Sequence, residues 1–283
     1  MNYSVLILGY NPVSWDNAIA CVQQIFLNLK DEFSKLDHVE TTALHFDYPE
    51  LPKVDFVIVS IFNDTPFDFE KIREKTKAKK ICSFIETPLP DADHSFIFNP
   101  IENENCTLIK FPYSNFLNVS KKSNTILIDH YWEDFLETEK DWTFRIEDWL
   151  EERDRIFIVK RLLRFPDERK TLRNFEIPID LTNYKDYLEK TDDINTFVVT
   201  HRESFGYGIV DMIVRGTRVI SPPDLLPEFM INELKIPIFH NKEEFLSLLS
   251  RDLEVDLEEK RKLCTSYKDV VKIIDSKFKE WLC

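Results

Sequence analysis

Short unbroken apolar runs alternate, through the first half of the chain, with stretches in which apolar residues recur every three or four positions. "SVLILGY" (Ser4 to Tyr10) is the first run. Ser14 stands where it can cap the helix that follows, in which Ile19, Val22, Ile25, Phe26, Leu29, Phe33 and Leu36 form one apolar face. "TTALHF" (Thr41 to Phe46) and "DFVIVSIF" (Asp55 to Phe62) read as strands, Phe69 to Lys77 as a polar helix, and "KICSFIE" (Lys80 to Glu86) as a strand. "SFIFN" and "TLIKF" add two more by Phe111. Continuous apolar runs between helices are the pattern of parallel strands buried on both faces.

The polar, turn-like "NFLNVSKKSN" (Asn115 to Asn124) interrupts this rhythm, which then restarts. "TILIDHYW" (Thr125 to Trp132) precedes a helix reaching about Glu152, followed by "RIFIVKRL" (Arg155 to Leu162) and a weak strand near Asn174 to Ile177. A helix at Tyr184 to Lys190 leads to "TFVVTH" (Thr196 to His201). Beyond lie "TRVIS", a short helix near Leu226 to Leu234, "IPIF" and a helix from Lys242 to Leu249. Two such series predict an α/β protein of two Rossmann-like, doubly wound domains facing each other across a cleft, residues 1–118 and 119–255. In the closing segment, 256–283, Leu263, Tyr267, Val270, Ile274, Phe278 and Trp281 keep one face apolar, so a final helix is expected to pack back on the body.

A length of 283 residues accommodates two such domains, and 43% hydrophobic residues suffice for their cores. With no long apolar span, no cleavable leader and five scattered cysteines without a CxxC pair, the expectation is a cytoplasmic chain with free thiols. A formal net charge of −14 disfavours general binding to nucleic acid or to anionic lipid. Lys121 and Lys122, and Lys160, Arg161 and Arg164, are the places where a local basic patch would form.

Three of the four glycines fall within eleven positions of "HRESFGYGIVDMIVRGTRVISPP" (His201 to Pro223), which reads as loop, helix, turn and strand. If the helix starts near Gly206, then Ile209, Met212, Ile213 and Gly216 face the sheet, while Tyr207 and Asp211 lie one turn apart on another face. Small residues at Ser204 and Gly206 let a phosphate approach the unpaired N–H groups of the helix start. Glu203 can accept from sugar hydroxyls, and Asp211 can hold a diol. Glycines flanking a helix also serve as plain turn and cap devices, and spacing alone leaves both readings open.

The segment resembles the C-terminal motif of retaining glycosyltransferases of the two-domain GT-B architecture, above all glycosyltransferase family 4. Glu203, Ser204, Phe205, Gly206, Asp211, Gly216, Val219 and Ile220 carry the likeness over about twenty residues. The resemblance implies transfer of a sugar, with retention, from a nucleotide-sugar donor (UDP- or GDP-linked) to a carbohydrate or other hydroxyl-bearing acceptor. It implies no covalently bound cofactor and no required metal. It also implies that Glu203 meets donor-sugar hydroxyls, that the Ser204 to Gly206 backbone approaches sugar and diphosphate, and that Asp211 binds the ribose. Asp stands at 211 where the family has Glu, the glycine-rich first loop is reduced to Gly9, and "DHYWEDFLE" lacks the usual Arg and Lys. Lys160, Arg161 and Arg202 are the substitutes nearest by topology.

Glu86 and His94, in "FIETPLPDADHSF", would position or deprotonate an acceptor hydroxyl from the first domain. "DAD" at 91 to 93 has the look of an acidic metal triplet. Asp129, His130, Tyr131 and Trp132 end the first strand of the second domain, where a base would lie. Two alternatives stand beside the transferase: a GT-B-like scaffold without turnover, and a sugar-nucleotide epimerase on the same plan. P-loop, serine-esterase and zincin motifs are absent from the sequence.

Overall fold

A computed structural model describes residues 2–9, 19–46, 48–60, 67–115, 124–128, 137–152, 157–163, 169–170, 172–181, 183–250 and 255–283. The chain divides into two compact units: Met1–Asn115 together with Cys264–Cys283, and Phe116–Leu263. Ser14, Lys121, Lys122, Arg164 and the stretch from Asp129 to Trp132 lie outside the described residues.

In the first unit β1 (Tyr3–Gly9), α1 (Ile19–Phe33), β2 (Val39–His45), β3 (Phe56–Ser60), α2 (Phe69–Thr76), β4 (Lys80–Ile85), β5 (His94–Ile97) and β6 (Cys106–Leu108) follow in order. The strands form one sheet, ordered β2-β1-β3-β4-β5-β6, with every pair parallel. Leu6, Leu8, Val57, Val59 and Ile81 point to one face, where Phe69 and Ile72 of α2 cover them. Asp68 opens α2 by accepting from the Lys71 amide, and Lys77, in the left-handed region, closes it.

On the opposite face α1 packs against β1, β2 and β3. The connections from β4 to β5 and from β5 to β6 contain no helix, so another element must cover the rest of that face. After β7 (Pro112–Tyr113) the chain departs to build the second unit. On its return, β13 (Thr265–Ser266) pairs with β7, and α9 (Tyr267–Leu282) supplies the cover. Phe278 stacks on Phe56 with centroids 4.2 Å apart and meets Tyr3, Phe33 and Phe96. The expected packing-back of the last helix is thus present, but Leu263 is not part of it. Ser266 accepts from the Asp269 amide and starts a new helix, leaving Leu263 as the end of α8 (Leu257–Leu263), an element the sequence pattern missed.

The second unit contains β8 (Thr125–Ile128), α3 (Glu137–Glu151), β9 (Ile158–Leu163), β10 (Glu176–Asp180), α4 (Tyr184–Lys190), β11 (Thr196–Val198), α5 (Tyr207–Val214), β12 (Arg218–Ile220), α6 (Glu228–Leu234) and α7 (Lys242–Ser250) before α8. Its sheet is ordered β10-β9-β8-β11-β12, again all parallel. "IPIF" contributes only a bridge from Ile238 to Ser221. Ile126, Ile128, Val198 and Ile220 pack on Ile146 and Leu150 of α3 and on Phe245 and Leu249 of α7. No helix among the described residues is long and apolar enough to cross a membrane.

One carboxylate fastens α9 to the first unit. Asp275 accepts from Tyr3 Oη at 2.5 Å, His38 Nε2 at 2.8 Å and Lys279 Nζ at 2.8 Å. Burial works to raise its pKa, yet these hydrogen bonds outweigh it and hold the carboxyl below its ordinary value. Asp275→Asn is expected to cost about 1.5–3 kcal/mol at neutral pH, read by urea denaturation. Because the folded-state pKa is depressed, the wild-type contribution is complete above the unfolded carboxylate value of about 3.9 and disappears as pH falls through the folded value. The gap between wild type and variant should therefore close below about pH 4. Equal stability at neutral pH would remove the fastening role.

Candidate functional site in the second unit

The second sheet is built outward from β8, first to β9 and β10, then on the other side to β11 and β12. Carboxyl ends at such a reversal send their chains to opposite faces, and open parallel sheets take ligands there. The segment from Val199 to Gly206 leaves the carboxyl end of β11, directly beside β8. It is fastened to the chain that follows β12, since the Glu203 amide donates to the Leu225 carbonyl at 2.9 Å. Glu203 keeps 27% of its side chain exposed, and its Oε1 lies 2.6 Å from Nε2 of the buried His201. Arg202 and Ser204 beside it are exposed, and Arg202 makes no ion pair with any described residue.

Gly206 adopts φ +68 and ψ 55 immediately before α5, with no side chain capping the helix. A Cβ there would meet Ile209 Cδ1 at 2.9 Å, so backbone geometry and the helix's own first turn both require glycine. Gly216 ends the helix with φ +85 against Leu257. At Gly208 a Cβ would come within 3.2 Å of Tyr187 Oη and 3.8 Å of Tyr184 Oη, so this glycine lets α4 and α5 approach closely. Phe205, Tyr207 and every residue from Ile209 to Val214 are buried. α5 is therefore enclosed all round, where the sequence had suggested a single buried face.

Asp211 is 1% exposed, and its Oδ2 accepts from Tyr184 Oη at 2.8 Å. Burial, and then the charge of Asp211, push the Tyr184 phenol well above its ordinary pKa. Tyr207 packs in the same aromatic group, its ring 5.8 Å from Tyr184.

The two basic residues expected from β9 are committed elsewhere. Neighbours on a strand point to opposite faces, and each meets its own carboxylate. Lys160 reaches Asp193, on the turn before β11, at 2.8 Å and thus toward the amino edge of the sheet. Arg161, 4% exposed, donates to Glu147 and lies 3.6 Å from Glu176. Burial raises both of those carboxyls in spite of the guanidinium. Neither Lys160 nor Arg161 is a free cation, and only Arg202 of the expected trio stands open to solvent.

In the first unit Glu86 and His94 lie at opposite ends of the sheet. Glu86 follows Ile85 at the carboxyl end of β4, and its carbonyl accepts from the Asn99 amide. His94 opens β5, pairs in register with Cys82, hydrogen-bonds Thr107 at 2.8 Å and lies against Trp281 of α9. Burial, then Lys277 and Lys80, lower its pKa. Four residues of strand separate the two levels, about 13 Å at about 3.3 Å per residue, so one hydroxyl cannot meet both. Asp93 of the acidic triplet accepts from Arg73 at 2.6 Å and from the Ile81 amide at 2.7 Å, a fastening of the β4–β5 connection. His130 lies outside the described residues. The sequence reading passed over His201 as a site residue, although a histidine two places before a loop glutamate was visible.

No protein-family model and no curated protein matches the chain. Solved structures do match it over nearly its whole length. A glycosyltransferase from Rickettsia africae aligns with TM-score 0.67 at 12% identity, covering 99% of each chain. MnaA of S. aureus, in a co-structure with UDP, aligns with TM-score 0.61 at 11% identity, over 100% of this chain and 97% of that one. UDP-GlcNAc 2-epimerase from Neisseria meningitidis, bound to UDP-GlcNAc, aligns with TM-score 0.57 at 11% identity, over 98% and 99%. The fold is GT-B. At these identities the likeness concerns architecture, which transferases and epimerases share.

Tyr184→Phe removes the hydrogen bond to a carboxylate that has no access to water, and is expected to destabilise the protein by about 1–3 kcal/mol. Chemical denaturation reads this directly. An unchanged midpoint would mean that the α4–α5 contact does not depend on the pair.

Proposed function

We propose that the chain binds a nucleotide sugar at the carboxyl edge of its second sheet and transfers the sugar to a hydroxyl-bearing acceptor. The observation that carries this reading is the gathering, on one fastened loop beside the reversal point, of a half-exposed carboxylate, an exposed guanidinium and a helix start. Arg202 and the positive end of α5 offer charge to a diphosphate. Glu203 accepts from hydroxyls of the sugar. As the bond to the diphosphate breaks, negative charge grows on the leaving oxygen, and fixed donors at that point lower the barrier most. The family 4 resemblance around Glu203 and Gly206 supports retention of configuration and a UDP- or GDP-linked donor, used without a metal. On this reading Asp211 acts through Tyr184 by holding α4 to α5. The absence of a long apolar helix among the described residues is compatible with a cytoplasmic setting.

The UDP-GlcNAc-bound epimerase of the same fold favours a second reading, conversion of a UDP-sugar without any acceptor. Product analysis separates the two: transfer leaves free nucleotide and a glycosylated acceptor, and epimerisation leaves an isomeric nucleotide sugar.

A thermal-shift panel of UDP-, GDP-, CMP- and ADP-sugars tests the donor site. A ligand at about a hundred times its Kd stabilises by about 2.7 kcal/mol, a rise of several degrees. Arg202→Ala should weaken nucleotide binding roughly tenfold to a hundredfold, as expected for loss of a hydrogen bond between charged groups. Glu203→Ala should leave nucleotide binding and folding intact while abolishing turnover. If no nucleotide moves the melting curve, the reading is overturned.

A further inference from the structure

Glu203 is held at both ends. Its amide is tied to Leu225 at 2.9 Å, and its carboxylate meets His201 Nε2 at 2.6 Å. A carboxylate oxygen accepts, so in this contact the ring nitrogen carries the hydrogen. His201 itself is 6% exposed and anchored at the strand end, whereas Glu203 stands half open to solvent. A loop glutamate free to rotate forfeits side-chain entropy when a ligand fixes it. A glutamate already fixed by a buried neighbour avoids that loss at the moment of binding.

From this geometry we infer that His201 is a specificity-determining positioning residue: it sets the rotamer of Glu203 so that Oε2 is presented to the sugar of a nucleotide sugar. The inference rests on the donor-site reading above and goes beyond it. His201 separates recognition of the sugar from recognition of the nucleotide. Arg202 and the start of α5 grip the diphosphate whether or not a sugar is attached, and His201 touches neither task directly. Its effect reaches the ligand only through the one carboxylate oxygen that Glu203 leaves open.

The consequence is a difference between two ligands in one protein. Wild-type protein should bind a nucleotide sugar more tightly than the bare nucleotide, in the UDP and UDP-GlcNAc pair or in the GDP and GDP-mannose pair. His201→Leu, which keeps bulk but loses the ring N–H, should bind the bare nucleotide as wild type does and lose about tenfold of its affinity for the sugar-bearing partner. His201→Gln, with an amide N–H of similar reach, should recover most of that loss. Isothermal titration of both pairs against the three proteins, with circular dichroism melts as the check on folding, reads all of these quantities.

If His201→Leu lowers nucleotide and nucleotide-sugar binding equally, and Gln does not rescue it, His201 is a packing residue and the inference falls. If the wild type prefers the sugar-bearing ligand and His201→Leu keeps that preference, the inference falls while the donor site stands. If no ligand of either pair binds the wild type, the donor-site reading fails and takes the inference with it. Should the Leu variant not fold, the Gln variant still decides, because a sugar preference lost in a folded His201→Gln would overturn rescue by the N–H.

Discussion

Everything in the first unit depends on covering a sheet face that its own connections leave bare. α1 and α2 cover β1, β3 and β4 from opposite faces, but the chain passes from β4 to β5 to β6 without a helix. Six parallel strands with part of one face in water would expose Phe56, Phe84 and Phe96, all now fully buried. The closing helix solves this from the far end of the sequence. Phe278 enters a ring of Tyr3, Phe33, Phe56 and Phe96, and burying a side chain of that size stabilises by about 1.5–3 kcal/mol. Asp275 then fixes the angle of approach by binding Tyr3, 272 positions away. The first strand is therefore fully packed only with α9 in place.

The second unit obeys a different constraint, close approach of two helices beneath a loop. Gly208 allows the hydroxyls of Tyr184 and Tyr187 against α5, and Asp211 takes the first of them as its hydrogen-bond donor. With Gly206 in the left-handed region and Gly216 against α8, all three clustered glycines have a packing or backbone reason. The site gains from this indirectly. A helix start that cannot shift presents its amides, Arg202 and Glu203 in one fixed arrangement.

The fold class was legible because apolar runs and helical periodicity are local properties, and α4 from Tyr184 to Lys190 was placed to the residue. α8 was not legible: a seven-residue helix with no buried side chain has no apolar face to announce it. Glu203 stands out through its place after a strand, a one-dimensional signal. The pairing of Lys160 with Asp193, of Arg161 with Glu147 and of His94 with Trp281 was not legible, because no spacing rule reveals which cation is already neutralised or which ring covers a histidine. Alternation along β9 and the opening of β5 at the amino edge settle what residue type cannot.

The charge distribution follows from the same pairings. In a chain of formal charge −14, a site for an anionic group must be local. Arg161 cannot serve, since withdrawing it would leave Glu147 and Glu176 buried without their shared cation, and breaking a buried pair costs several kcal/mol. Lys160 would have to leave Asp193 and reach the other edge of the sheet. Among the described residues of the loop after β11, what remains is the guanidinium of Arg202 and the amides of a helix start. Both keep their positive character without a proton that titrates near neutrality, and neither draws on the ion pairs that hold the second unit together.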